Sequence, residues 1–298
     1  MLAQATELVE TVVYPAYRRA RDAVVAIAGQ AKNDDGIWSQ AGGEKFYLHA
    51  IQYLGDSNLS ADAIHELGLS EVNRITAEMD VILTTNGYSE GTVGERMLAL
   101  AAEPQFLYAD TDEGREALLA DLNLQVKAVM QVAPQYYQTI PSQLVEVKRI
   151  PPVSEAGEAG GFYSPPSLDG SRSGIYWINL RDMSAVPKFS LKTLTYHEAV
   201  PGHHLQCATV AIEKDRLSRF QKNAAWISGY GEGWALYAER FMNELGAFDE
   251  PGIEMGYLSA QALRAARIVV DIGMHLGYTD FDGNVWNAES SRKLLNEQ

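Results

Sequence analysis

The stretch Tyr196-His197-Glu198-Ala199-Val200-Pro201-Gly202-His203-His204-Leu205-Gln206 constrains this 298-residue chain more than any other. Three of the six histidines and a carboxylate fall within eight of its positions. A Zn²⁺ ion takes neutral imidazoles with a carboxylate or thiolate, and keeps one position open when it does chemistry. The stretch therefore supplies the first part of a metal-binding hydrolytic centre, but on an uninterrupted helix the parts cannot meet. Six residues after His197, His203 would face about 120° away. His204 would face the right way about 10 Å further along the axis, too far for two imidazoles on one ion. Pro201 has no N–H to offer the His197 carbonyl and crowds it, and Gly202 tolerates unusual dihedrals, so the helix must open there. The spacing predicts a bulged turn that returns His203 to the ion. His204 is then left as an alternative ligand, or as a group beside the ligands or the substrate.

A third ligand is needed, and Gly229-Tyr230-Gly231-Glu232-Gly233-Trp234-Ala235-Leu236-Tyr237-Ala238-Glu239 offers one in Glu232, at the expected start of a helix. Glu239, seven residues on, shares its face and is placed to accept a hydrogen bond from a ligating imidazole. The remaining histidines read differently. His65-Glu66-Leu67-Gly68-Leu69 opens like a zinc-protease motif but has leucine where the second histidine belongs, so His65 reads as an exposed side chain beside a turn. His49 receives the same reading.

Around these motifs the chain alternates helical runs with one change of texture. Apolar residues at helical spacing predict helices over 6–30, 44–54, 72–83 with Ser70 as N-cap, 111–132, 191–200 with Ser190 as N-cap, 232–245 and 256–276. Leu144–Ile150 alternates with period two and Ser173–Leu180 is largely apolar, so both read as strands. The Gly-, Pro- and Ser-rich connection over 154–170 reads as a loop between them. The sum is a mainly α (α+β) fold with a small β-sheet next to the metal-bearing helix: a helical scaffold over 1–142 and a metal-site region over 143–298, in one continuous domain. The two strands read equally well as a hairpin covering the core or as an edge that pairs with an extended peptide.

Composition narrows the partners. With 24 Lys and Arg against 39 Asp and Glu, the formal charge is −15, without the clustered cations that bind nucleic acid. No apolar stretch reaches membrane-spanning length, and the N-terminus lacks the basic flank and apolar run of a secretory signal, so a cytoplasmic location is the default expectation. The one cysteine, Cys207, excludes an intramolecular disulfide and reads as a small buried apolar residue rather than a ligand. Nothing in the sequence sets an oligomeric state.

The motifs carry a resemblance. His197-Glu198 followed by Gly202-His203, then Glu232-Gly233-Trp234-Ala235, resemble the paired motifs of the gluzincin metallopeptidases. More specifically, HEAVPGHHLQ, EGWALYAE and the run Arg264–His275 together are similar to the bacterial domain-of-unknown-function 885 family, a zincin-like group, over about Tyr14 to the end of this chain. Members of that family are longer, and this chain corresponds to their catalytic portion. The resemblance implies a zincin-like fold and a Zn²⁺ ion held by His197, His203 and Glu232, with Glu198 as general base. It also implies hydrolysis of a peptide or small amide substrate, with Tyr257, Arg267 or His275 of the third motif donating to the tetrahedral oxyanion. Asp271 and His275, four apart on one helical face, read equally well as a structural pair. The alternatives are a catalytically silent metal- or peptide-binding protein and a non-peptide amide hydrolase on the same scaffold.

Overall fold

The computed structural model describes residues 1–31, 34–213, 216–223, 226–250 and 252–297. In chain order its helices are α1 (Leu2–Leu8), α2 (Tyr14–Ala28), α3 (Gly43–Gly55), α4 (Ala61–Thr85), α5 (Val93–Ala101) and α6 (Asp112–Val132). Three strands follow: β1 (Val145–Arg149), β2 (Gly161–Ser164) and β3 (Gly174–Ile178). The chain then returns to helix in α7 (Lys188–Glu198), α8 (His203–Ile212), α9 (Arg219–Asn223), α10 (Ser228–Glu244), α11 (Ile253–Leu276) and α12 (Ala288–Glu297). The fold is mainly α with a small sheet. No helix among the described residues is long and apolar enough to cross a membrane.

The longest helices form the spine. Val72, Ile75, Met79 and Leu83 of α4 interlock with Leu258, Ala262, Ala265 and Val269 of α11, joined by Val93 and Leu100 of α5 and Leu294 of α12. Burying a side chain such as Ile75 or Leu83 stabilises the fold by about 1.5–3 kcal/mol. The expected helix start at Ser70 is displaced: α4 begins at Ala61, and the Ser60 side chain caps it by accepting from the Ala63 N–H. Gly68 lies where α4 packs closely on α11. A Cβ there would lie 2.9 Å from the Ile268 side chain, so the glycine serves packing and the helix runs through it. His65 consequently lies inside α4 and is buried, not exposed beside a turn.

The sheet covers a second core, in which Leu118, Leu122 and Val126 of α6 meet Val147, Tyr176, Ile178 and, from α7, Leu191. Its order is β1-β3-β2, with β1 parallel and β2 antiparallel to the central β3. A simple hairpin is therefore excluded. β2 lies inside the connection read from sequence as a loop, because its four residues, Gly161-Phe162-Tyr163-Ser164, are too few to show a period of two among the surrounding Gly, Pro and Ser. The helices at the site also start earlier than their sequence signals suggest. α7 begins at Lys188 after Pro187, and α10 begins at Ser228, one turn before Glu232. At the N-terminus α1, a five-residue π segment and α2 form a nearly continuous helical run with no buried residue, its apolar side chains such as Val12, Val24 and Ile27 exposed.

Candidate metal centre

α7 ends at Glu198, four residues turn the chain, and α8 begins at His203. The expected bulge is in fact a clean break between two helices. Ala199 leaves helical geometry at φ −101°, ψ −105°, the Val200–Pro201 bond is cis, and Gly202 sits at φ −76°, ψ −130°. A Cβ on Gly202 would fall 1.8 Å from the His197 carbonyl oxygen, so only glycine allows α8 to fold back so tightly. The Trp234 indole N–H of α10 donates to the carbonyls of Pro201 (3.0 Å) and Gly202 (3.2 Å) and pins the turn against that helix.

This turn brings the His197 and His203 rings to 4.9 Å between centroids, nearly perpendicular. Glu232 meets both: its Oε2 lies 3.5 Å from His197 Nε2 and 3.7 Å from His203 Nε2. Tetrahedral ligands 2.0–2.2 Å from one ion stand about 3.4 Å apart. The three donor atoms, all within 4.8 Å of one another, thus fit a single zinc-sized ion. The Glu232 side chain is 61% exposed, and its oxygen still converges on the imidazoles. That exposure leaves the cluster open on one side while the histidines are buried.

The other ring nitrogens are oriented from behind. His197 Nδ1–H donates to Glu239 at 2.7 Å, so that in the neutral ring the Nε2 lone pair faces the cluster. Glu239 is fully buried, and the Thr193 hydroxyl (3.1 Å), the Gln261 amide (3.1 Å) and Arg264 Nη2 (2.8 Å) also donate to it. A buried carboxylate so surrounded is compensated rather than strained. Arg264 Nη2 also lies 3.1 Å from His197 Nδ1, a contact forced by the shared carboxylate, since both nitrogens carry protons. His203 Nδ1 faces Gln206 Oε1 at 3.4 Å, a longer and weaker bond.

Charge follows from these contacts. Burial opposes protonation of His197, but Glu232 and Glu239 outweigh it and hold the imidazole up to about 9. The two histidines pull Glu232 well below the usual carboxylate range. Glu198 is pushed up, first by burial and further by Glu232, against the pull of His197, His203 and Arg264. No hydrogen bond or ion pair among the described residues engages its carboxylate.

His204 turns away from the cluster. Its Nε2–H donates to the Gln143 carbonyl (2.9 Å) and its Nδ1 accepts from the Tyr163 hydroxyl (2.8 Å), so both nitrogens are spent. Burial drives it down to about 4, the neutral ring of a structural bridge between α8 and β2. Cys207 is partly buried, its thiol pushed up to about 11 by burial.

The third motif divides. Arg264 reaches the site through Glu239, whereas Arg267, three residues on, is exposed and engages no described residue by hydrogen bond or ion pair. Tyr257 stacks on Phe248 at 5.1 Å. His275 accepts from the Ile37 N–H at 3.2 Å and packs on Tyr47, whose hydroxyl donates to Asp271. None of Tyr257, Arg267 and His275 has a hydrogen bond or ion pair to Glu198 or the three clustered residues, so the geometry does not single out an oxyanion donor among them. Sequence reading overlooked Thr193 and Arg264, although Thr193 precedes His197 by one helical turn and Arg264 opens the third motif. It also overlooked Tyr163, hidden in β2, whose ring stacks over His203 at 6.4 Å.

A family model described as bacterial protein of unknown function (DUF885) matches residues 1–298. The chain belongs to that family. A solved structure described as the putative lipoprotein from Colwellia psychrerythraea is 46% identical and superposes with a TM-score of 0.90 over 97% of this chain. The match takes in 48% of that protein, so the DUF885 chain spans about half its length. No protein of curated function matches.

Proposed function

We propose that this chain carries the catalytic centre of a zinc-dependent, zincin-like metallopeptidase that hydrolyses peptide or small amide bonds. The observation behind the reading is the convergence of His197, His203 and Glu232 on one ion-sized space, with Glu198 buried next to it and, among the described residues, in no hydrogen bond or ion pair. A zinc ion held by these three residues would polarise a carbonyl and bring the pKa of a water to about 7.

The chain's own residues account for the rest. Glu239, held by Thr193, Gln261 and Arg264, keeps the His197 proton on Nδ1 so that Nε2 stays a lone-pair donor. Gln206 does the same for His203 through a longer bond. Glu198 is not needed to bind an ion. Its carboxylate, with a proton affinity raised by burial, is suited to take a proton from the attacking water and pass it to the leaving amine. The exposed flank at Glu232 is the side from which an extended substrate can approach.

The test is Glu198→Gln in zinc-loaded protein, assayed on a mixed-sequence peptide pool by mass spectrometry. Turnover should fall by about 10²–10⁴-fold, the usual contribution of a general base, with bound zinc unchanged. Full activity of the variant would remove Glu198 from the mechanism. Zinc retention without cleavage by the wild type would point to a silent binding protein.

A further inference from the structure

An aromatic ring stands beside the metal cluster and takes no part in holding an ion. Trp226 precedes α10, and its ring lies 6.2 Å from that of His203, tilted by 51°. It is 55% exposed, more than any other of the five tryptophans, whereas the His203 it leans on is buried. Its indole N–H makes no hydrogen bond to a described residue. Tryptophan is on average a well-buried residue, so a ring left half in solvent at the edge of an ion-sized space needs a reason.

The chain builds a seat for this ring. A Cβ on Gly231 would fall 2.3 Å from Cζ2 and 2.4 Å from Cη2 of Trp226, so the six-membered ring rests directly on the backbone of α10, one residue before Glu232. Glycine inside a helix is a destabilising choice, and here it leaves room for the indole where any side chain would push it off. Tyr163 also stacks on the His203 imidazole, at 6.4 Å and 21° between planes, but it is only partly exposed and its hydroxyl is committed to His204. Trp226 is therefore the ring with the more open face.

Distance and chemistry set what such a face can recognise. An ion about 2.0–2.1 Å from His203 Nε2 would lie no more than about 9 Å from the centre of the Trp226 ring. Residues of an extended chain advance about 3.3 Å each, so a side chain one or two residues from a carbonyl on the ion reaches the ring. The neighbouring Glu232 carboxylate is engaged by both imidazoles, which leaves the indole to offer apolar surface. Burying an aromatic or branched side chain against it gains more than a cation gains over an exposed ring. We infer that Trp226 is the wall of a specificity subsite, and that the substrate carries an aromatic or large apolar side chain within two residues of the bond that is cut. This rests on the peptidase reading of the metal centre and names the substrate class for it.

The test compares wild type, Trp226→Ala and Trp226→Phe, each loaded with zinc, on the mixed-sequence peptide pool. Wild type should favour phenylalanine or leucine over alanine at one of those positions by about tenfold or more. Trp226→Ala should lower that ratio about tenfold, and Trp226→Phe, which keeps an aromatic face, should hold it within about threefold. Zinc content should be unchanged in both variants; its loss would make Trp226 a support of the centre and overturn the subsite. A second arm needs no turnover. By calorimetry, zinc-loaded Glu198→Gln should bind a hexapeptide amide with two central phenylalanines saturably, and about tenfold more weakly once Trp226→Ala is added or the central residues are alanines. Trp226-dependent binding without cleavage would overturn the peptidase reading and leave the subsite standing. Cleavage or binding indifferent to the aromatic side chain, a preference for arginine or lysine there, or a preference that survives Trp226→Ala would overturn the subsite and leave the peptidase reading intact. Neither cleavage nor binding would overturn both.

Discussion

His197 and His65 are both buried imidazoles with two carboxylates nearby, on opposite stretches of the molecule along α11, and their environments push them in opposite directions. His197 is held up to about 9 because Glu239 and Glu232 approach its two nitrogens to 2.7 Å and 3.5 Å. At His65 burial prevails and the pKa falls, because Asp62 and Glu66 act only through space and Nε2 has no partner among the described residues. Carboxylates in direct contact stabilise the protonated ring, whereas carboxylates merely close by do not offset burial. The construction differs as well. The metal cluster draws on α7, α8, α10 and α11, whereas Asp62, His65 and Glu66 all lie on α4.

The largest expected effect comes from breaking the first site. Replacing His203 with alanine would remove one of the three proposed ligands and should lower zinc affinity by more than 100-fold, the upper range for losing a mere outer partner, as read by competition with a chelator. His65→Ala, in contrast, should leave zinc affinity unchanged. Glu239→Gln should cost 10–100-fold, since the amide cannot fix the His197 tautomer as a carboxylate does. Gly202→Ala should destabilise the fold by about 1–3 kcal/mol in urea denaturation and loosen zinc with it, because its methyl would press on the His197 carbonyl.

The smallest effects are those of pH on stability, and they carry opposite signs at the two histidines. In metal-free protein the folded pKa of His197 lies above its ordinary 6.5. Its contribution is therefore fully present below about 6.5 and is lost as pH rises through about 9. The folded pKa of His65 lies below 6.5, so the folded state binds fewer protons than the unfolded one. Stability should fall as pH drops below about 6.5. Denaturation midpoints of His197→Gln and His65→Gln against pH should flatten opposite limbs of the profile. Flattening of the same limb would refute the contrast.

The sequence revealed what depends on local spacing. Pro201 and Gly202 announced the break between the histidines, and the apolar periodicity of α6 and α11 placed those helices within a few residues. Features decided by tertiary contact were illegible. Ser70 reads as an N-cap until α4 is seen starting ten residues earlier at Ser60, and that displaced start made His65 look exposed beside a turn. Arg264 and Arg267 are equivalent in a motif, and only the position of Glu239 shows that Arg264 is the one turned toward the site. His203 and His204 are adjacent in sequence, and the choice between them rests on Tyr163 and Gln143, which occupy both nitrogens of His204.

The central claim is that His197, His203 and Glu232 hold one cation. Anomalous scattering at the zinc edge, from crystals grown with zinc and without added chelator, tests it most directly. The account predicts one strong peak about 2.0–2.2 Å from His197 Nε2, His203 Nε2 and Glu232 Oε2. A peak on His204, or none between these three side chains, would contradict it.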